Sequence, residues 1–142
     1  MSTLSAAVAA SASALAAERT RIEVAVSNLA NAESTRSADG QPYRRRDVLL
    51  AADGVTTFDA ALGRAGATGV AVAGVVEDAA PFRKRYEPSH PDADADGFVS
   101  LPNVDAPQEM VDMLGAARAY QANLAAITMI KELVSRALEL GR

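Results

Sequence analysis

The chain has 142 residues, enough for one domain or one compact unit with an appendage. Apolar residues make up 49% but aromatics only 4%, with no Trp, a composition suited to closely packed helices and unlike an aromatic-walled ligand pocket. The net charge is -4 and the only tight basic group is Arg44, Arg45 and Arg46, which disfavours a nucleic-acid partner; zero Cys removes disulfides, thiolate metal sites and thiol nucleophiles.

Residues 3–31 carry the first predicted helix. Leu4, Val8, Ser11, Leu15, Glu18, Ile22, Ala25 and Leu29 follow alternating steps of four and three, a heptad seam with polar interruptions at Ser11 and Glu18. Ser2 or Thr3 is placed to cap it. Such a helix is ~42 Å long at ~1.5 Å per residue. The same stretch shares small residues and an A-x-A, at Ala12 and Ala14, with signal peptides. No Lys or Arg precedes the apolar run, so no cleaved signal is expected. No run approaches the ~20 apolar residues of a membrane span.

Residues 32–42, "AESTRSADGQP", are turn-rich and end the helix. Three β-type runs follow: "YRRRDVLLA", "TGVAVAGVVED" and "PFRKRYEP". In the third, Phe82, Lys84 and Tyr86 point one way and Arg83 and Arg85 the other. A second helix is predicted over 105–140. Asp105 stands three residues before Gln108, Pro107 lies in the first turn, and Gly141 closes the run. Met113, Ala117, Tyr120, Leu124, Ile127, Lys131, Val134 and Leu138 form its seam. Ala126, Ile130, Leu133, Ala137 and Leu140 form a second stripe. The fold class is therefore mainly α with a β-rich insert: helices over 1–31 and 105–142 invite pairing, and 32–104 forms a turn-rich, β-hairpin region between them. The second stripe needs its own cover, from neighbouring subunits or from the insert folding back.

"HPDADADGFVSLPNVD" at 90–105 opens like a calcium loop, with Asp92, Asp94, Asp96 and Gly97. Its twelfth position, where the ion needs a bidentate Glu, is Asn103, and Pro91 and Pro102 disfavour the flanking helices. An Asx-turn loop leading the chain into the last helix accounts for the run better than calcium does. His90 is the only His, so a His-based metal cluster or hydrolase has no support. "GATGVAVAG" lacks the glycine order of a phosphate cradle. The three arginines suit an anion, a solvated strand end or a subunit contact. Asn28, Asn31 and Asn123 sit in or at the end of helices, where Asn is intrinsically poor, and are expected to bond helix-end carbonyls or to bridge helices.

The blocks "NLANAEST", "GQPYRRRDV", "GVAVAGVVED", "YEPSHPDADADGFVSLPNVD" and "EMVDMLGAARAYQANLAAI" occur in this order across nearly the whole chain. Together they resemble the bacterial flagellar basal-body rod proteins, and within them the C-type proximal rod subunits. The first block is shared by rod and hook proteins generally; the acidic block with "RAYQAN" is more particular. One small departure is "NAEST", where many relatives show two adjacent Thr. The resemblance implies a structural subunit and no enzyme, cofactor or metal. It implies export by the flagellar type III apparatus and assembly into the hollow helical shaft crossing the periplasm in the basal body. It implies terminal helices paired as an antiparallel coiled coil. Implied neighbours are the other proximal rod subunits, the distal rod subunit and the adapter joining the rod to the membrane ring. Leu4, Val8, Leu15, Ile22, Leu29, Met113, Tyr120, Leu124, Ile127, Ile130, Leu133, Val134 and Leu138 are the expected packing and interface positions. Asn28, Asn31, Pro91, Asp96, Gly97, Pro102 and Asn103 are the expected turn and motif positions.

Overall fold

A computed structural model describes residues 3–37, 39–53 and 68–140. Two long helices flank two small β-ribbons: α1 Thr3–Ala30, β1 Arg46–Ala52, β2 Val70–Glu77, β3 Arg83–Tyr86, β4 Phe98–Leu101 and α2 Ala106–Leu140. The expected caps Ser2 and Gly141 lie outside the described residues. At the start of α2, the Asp105 carbonyl accepts the Glu109 N–H at 3.0 Å. The Gln108 side chain turns forward to the Asp112 carboxylate, 3.4 Å away, instead of back to Asp105.

The chain forms two compact units. One comprises Met1–Thr20, Leu49–Gly74 and Gly115–Arg142; the other comprises Arg21–Val48 and Val75–Leu114. In the first, Ser13 ties α1 to the start of β2: its Oγ donates to the Ala10 carbonyl at 2.8 Å and accepts the Val70 N–H at 3.0 Å. Leu4, Val8, Ile130 and Val134 line one apolar cleft of about 650 Å³ in this unit.

Among the described residues, most of the buried apolar side chains lie in the second unit. β3 and β4 pair antiparallel, with Arg83 opposite Leu101 and Tyr86 opposite Phe98. Strand alternation separates the faces of β4. Val99 and Leu101 turn inward and are buried with Pro102 and Val104, while Phe98 meets Tyr86 edge to face at 5.3 Å between centroids. β4 was not expected from the sequence; it lies inside the acidic run read as a loop.

The turn joining β3 to β4 requires a glycine. Gly97 has φ +82°, and a Cβ there would stand 2.9 Å from Tyr86 Cε2 and 3.2 Å from Pro88 Cβ. The left-handed conformation disfavours side chains and the space is already filled. Gly97→Ala is therefore expected to destabilise this unit by about 1–2 kcal/mol. The urea midpoint of the purified chain measures this, and an unchanged midpoint would contradict the assignment.

Asp92 and Asp94 of the acidic run are engaged in hydrogen bonds and an ion pair. Asp94 Oδ1 accepts the N–H groups of Asp96 and Phe98 at 3.0 and 2.8 Å, the expected Asx-type turn. Asp92 accepts the Thr35 hydroxyl at 2.8 Å and pairs with Arg36 at 2.9 Å, fastening the loop to the segment after α1. His90 Nδ1 accepts the Asp92 N–H at 3.1 Å, a turn role. Asp96 and Pro91 are exposed. Among the described residues, no group of three or more His, Cys, Asp or Glu is placed to hold a metal ion. Among the described residues, no helix is long and apolar enough to cross a membrane.

Candidate functional site

The second unit is organised around one buried polar node. Asn28, near the end of α1, is 1% exposed and Glu109, in the first turn of α2, is 2% exposed. Burying either side chain without partners would be unfavourable by several kcal/mol. Asn28 uses both halves of its amide. Its Nδ2 donates to the Arg46 carbonyl at 2.8 Å and to Glu109 Oε2 at 2.9 Å. Its Oδ1 accepts the Tyr43 hydroxyl and the Arg46 N–H, each at 2.9 Å. One side chain thus binds the end of α1, the strand entry and α2.

Glu109 completes the node through Arg45, whose Nε donates to Oε1 at 2.6 Å. Its position also suits the charge, because the exposed N–H groups at a helix N-terminus stabilise an anion. Around Arg45 stand Asp47, Asp78 and Asp112 at 3.6, 3.9 and 3.8 Å. Partial burial works against the Arg45 charge. The hydrogen bond and charge of Glu109, aided by Asp47 and Asp78, outweigh that effect and hold its pKa above the ordinary guanidinium value. Among the described residues, every buried side-chain nitrogen and oxygen has a hydrogen-bond partner.

Asn103 holds the same segment from the other side. Its Oδ1 accepts the Arg45 N–H at 2.9 Å, and its Nδ2 donates to the carbonyls of Asp78 and Ala80 at 3.3 and 3.2 Å. The position where a calcium loop would need Glu is instead a backbone clamp. Of the three arginines, Arg44 lies over the Phe82 ring at 4.5 Å and Arg46 over the Tyr43 ring at 5.6 Å. Only Arg45 turns to a buried carboxylate. The anion that this basic run suits is therefore internal, the Glu109 carboxylate.

The end of α1 is finished from outside the helix. Its last turn carries no basic residue. Arg83 on β3 donates to the Ala32 carbonyl at 3.3 Å and to the Pro102 carbonyl at 3.0 Å, placing a cation where the helix dipole favours one. Asn31 Nδ2 donates to the Ser27 carbonyl at 2.8 Å, and Asn123 Nδ2 to the Ala119 carbonyl at 2.9 Å, both along their own helices. Asn28 alone of these three bridges to the other helix.

A cavity of about 160 Å³ opens beside the node, lined by Arg21, Asn28, Arg45, Glu109 and neighbours. It is well below the roughly 300–1,000 Å³ of a small-molecule site, and its walls are polar where such sites are mostly apolar. The node can hold segments in register.

The apolar positions expected from the heptads divide by exposure. Val8, Leu15, Ile22, Leu29, Met113, Tyr120, Ile127 and Ile130 are half-buried. Leu4, Leu124, Leu133, Val134 and Leu138 are exposed, Leu138 by 70%. The fully buried helix positions are Ala17, Ala25, Asn28, Glu109 and Ala116. Sequence reading passed over most of these because alanine is a weak hydrophobe and charged residues are rarely core. One available signal was the seven-residue step from Glu109 to Ala116, which puts an acid on the same helix face as a buried small residue. In α2 beyond Gly115, Ala122, Ala125, Met129, Leu133 and Leu140 are all exposed at steps of three, four and seven. Met129 is 63% exposed and Leu140 90%.

A family model for the C-terminal part of flagellar basal body rod FlgEFG proteins matches residues 95–140, which include β4, the node's Glu109 and all of α2. Flagellar basal-body rod protein FlgC of Salmonella typhimurium is 47% identical over 130 residues, covering 92% of each chain. The protein of the same name from Bacillus subtilis is 43% identical over 143 residues, covering 93% of this chain and 94% of its own. That of Aquifex aeolicus is 38% identical over 130 residues, covering 91% and 90%. With relatives this similar along nearly its whole length, the chain belongs to the FlgC family of flagellar basal-body rod proteins.

Proposed function

We propose that this chain is a structural, non-catalytic subunit of the flagellar proximal rod. It self-assembles with the other proximal rod subunits into the hollow helical shaft that carries torque from the motor to the hook. The distal rod subunit and the adapter to the membrane ring are its further neighbours, and it reaches the rod through the type III export apparatus. The observation that carries this reading is the exposed apolar surface of α2. A single chain in water has no use for Leu114, Met129, Leu133, Leu138 and Leu140 in the open, whereas a repeated subunit contact covers such a stripe. Head-to-tail contacts that do not close generate an open helical tube.

Within the subunit, residues 1–31 and 105–142 act as the axial core and pair as an antiparallel coiled coil, with 32–104 as the insert. The pairing is supported in each unit separately. Leu4 and Val8 share a cleft with Ile130 and Val134, and Asn28 bonds Glu109. Calcium has no comparable support, because Asp92 and Asp94 are engaged with Thr35, Arg36 and backbone amides.

Expression in a strain lacking its own C-type rod subunit tests the proposal. Restored swimming, with the chain present in purified basal bodies, is expected. A chain that is secreted and stable yet absent from basal bodies overturns it.

A further inference from the structure

The outer face of the β3–β4 ribbon carries the only exposed aromatic side chains among the described residues. Strand alternation puts Lys84 and Tyr86 of β3 on that face, opposite Ser100 and Phe98 of β4. Tyr86 is 63% exposed and Phe98 39%, whereas Tyr43, Phe82 and Tyr120 are half-buried. In a chain with only three Tyr and three Phe, an edge-to-face pair of rings is thus left in water. Exposed rings held in place by their own fold are the usual anchors of a protein contact.

The charge on this face is also unused. Arg83 and Arg85, which turn inward, are engaged: Arg83 bonds the Ala32 and Pro102 carbonyls, and Arg85 pairs with Glu33 and Glu87, each at 2.9 Å. Lys84, which turns outward, pairs with no described residue.

The exposed stripe of α2 has the opposite character. Met129, Leu133 and Leu140 lie along one side of the helix, and Glu132 and Glu139, seven residues apart, border that stripe. Neither glutamate pairs with a described residue.

We propose that the outer face of β3–β4 is the docking surface for the α2 stripe of a second copy of this chain, with Met129 and Leu133 against Tyr86 and Phe98 and Glu132 opposite Lys84. One surface is aromatic and basic, the other aliphatic and acidic, and a methionine sulfur favours contact with a ring edge. The spacings agree as well. Lys84 and Tyr86 are about 7 Å apart along the strand, and Met129 and Leu133 about 6 Å apart along the helix. Because the two surfaces differ, the contact is head-to-tail and repeats without closing. The inference rests on the rod-subunit reading and names which surfaces of neighbouring copies meet.

The chain has no Cys, so single cysteines report this contact alone. Two differently tagged chains, Lys84→Cys and Glu132→Cys, are co-expressed in a strain lacking its own C-type rod subunit, and purified basal bodies are mildly oxidised. A disulfide-linked product carrying both tags is expected. None is expected when Lys131→Cys, on the far side of the helix from the stripe, replaces Glu132→Cys. In swimming assays Lys84→Glu and Glu132→Lys should each impair motility, and both changes in one chain should restore it. Absence of the mixed product from basal bodies that contain both chains overturns the docking. So does a double charge swap that swims no better than either single change, which gives the face to another component. Failure of the rod-subunit reading shows separately, as a parent chain that is absent from basal bodies.

Discussion

Glu109→Ala is expected to destabilise the second unit by about 3–5 kcal/mol, the usual consequence of removing one partner from a buried ion pair. The loss has two parts. Arg45, 21% exposed, keeps its charge but loses its 2.6 Å partner, with Asp47, Asp78 and Asp112 left at 3.6–3.9 Å. Asn28 Nδ2 loses an acceptor at a position closed to water. A loss of this size is a large share of the ~5–15 kcal/mol that holds a typical domain together.

The comparison that isolates burial is Glu33→Ala. Glu33 also meets an arginine closely, Arg85 at 2.9 Å, but both side chains are about half exposed or more. Solvent-screened pairs of this kind contribute roughly 0–1 kcal/mol, so Glu33→Ala should scarcely move the urea midpoint. Urea unfolding followed by circular dichroism reads both. Equal shifts for the two variants would show that the node is not a buried pair in solution. Glu109→Gln should fall between them, since an amide keeps one acceptor for two donors and brings an N–H towards the arginine.

Deleting residues 127–142 is expected to leave a folded, exportable fragment that cannot enter the rod, so that cells are non-motile. The deletion spares the whole second unit, which ends at Leu114, and with it the node and the β3–β4 core. Within the chain it removes half-buried Ile127 and Ile130 and the exposed Leu133, Val134, Leu138 and Leu140. Because Leu133, Leu138 and Leu140 are already largely in solvent, their loss affects the isolated chain little. On the proposed rod-subunit reading their contribution lies in assembly, where burying such a side chain is worth up to about 1.5–3 kcal/mol. Even a fraction of that sum, at about 1.4 kcal/mol per tenfold, removes several orders of magnitude of affinity. Complementation of a strain lacking the subunit, scored by swimming and by imaging of basal bodies, decides the matter. Complete rods and restored swimming with the truncated chain would show that the end of α2 is not the assembly element.

How much of this molecule is visible in its sequence depends on the range of the interaction concerned. The two long helices announce themselves because heptad spacing is local, and α1 at 3–30 and α2 at 106–140 start and stop within a residue or so of expectation. β1 and β2 follow from β-branched runs bounded by turn residues, and β3 from the alternation of Phe82, Lys84 and Tyr86 with Arg83 and Arg85. The Asp94 turn and Gly97 were likewise legible, since each is settled within a few residues. β4 was not. It has four residues, and only pairing with β3 and burial of Val99 and Leu101 give it strand character. The node was not legible either. Glu109 lies 81 residues from Asn28 and 64 from Arg45, and nothing local tells a helix-capping acid from a buried one. Local propensity and periodicity wrote the helices. Which polar side chains are drawn inside was decided only when the fold brought an amide, a guanidinium and a helix N-terminus to the same point, where each makes the others' burial tolerable.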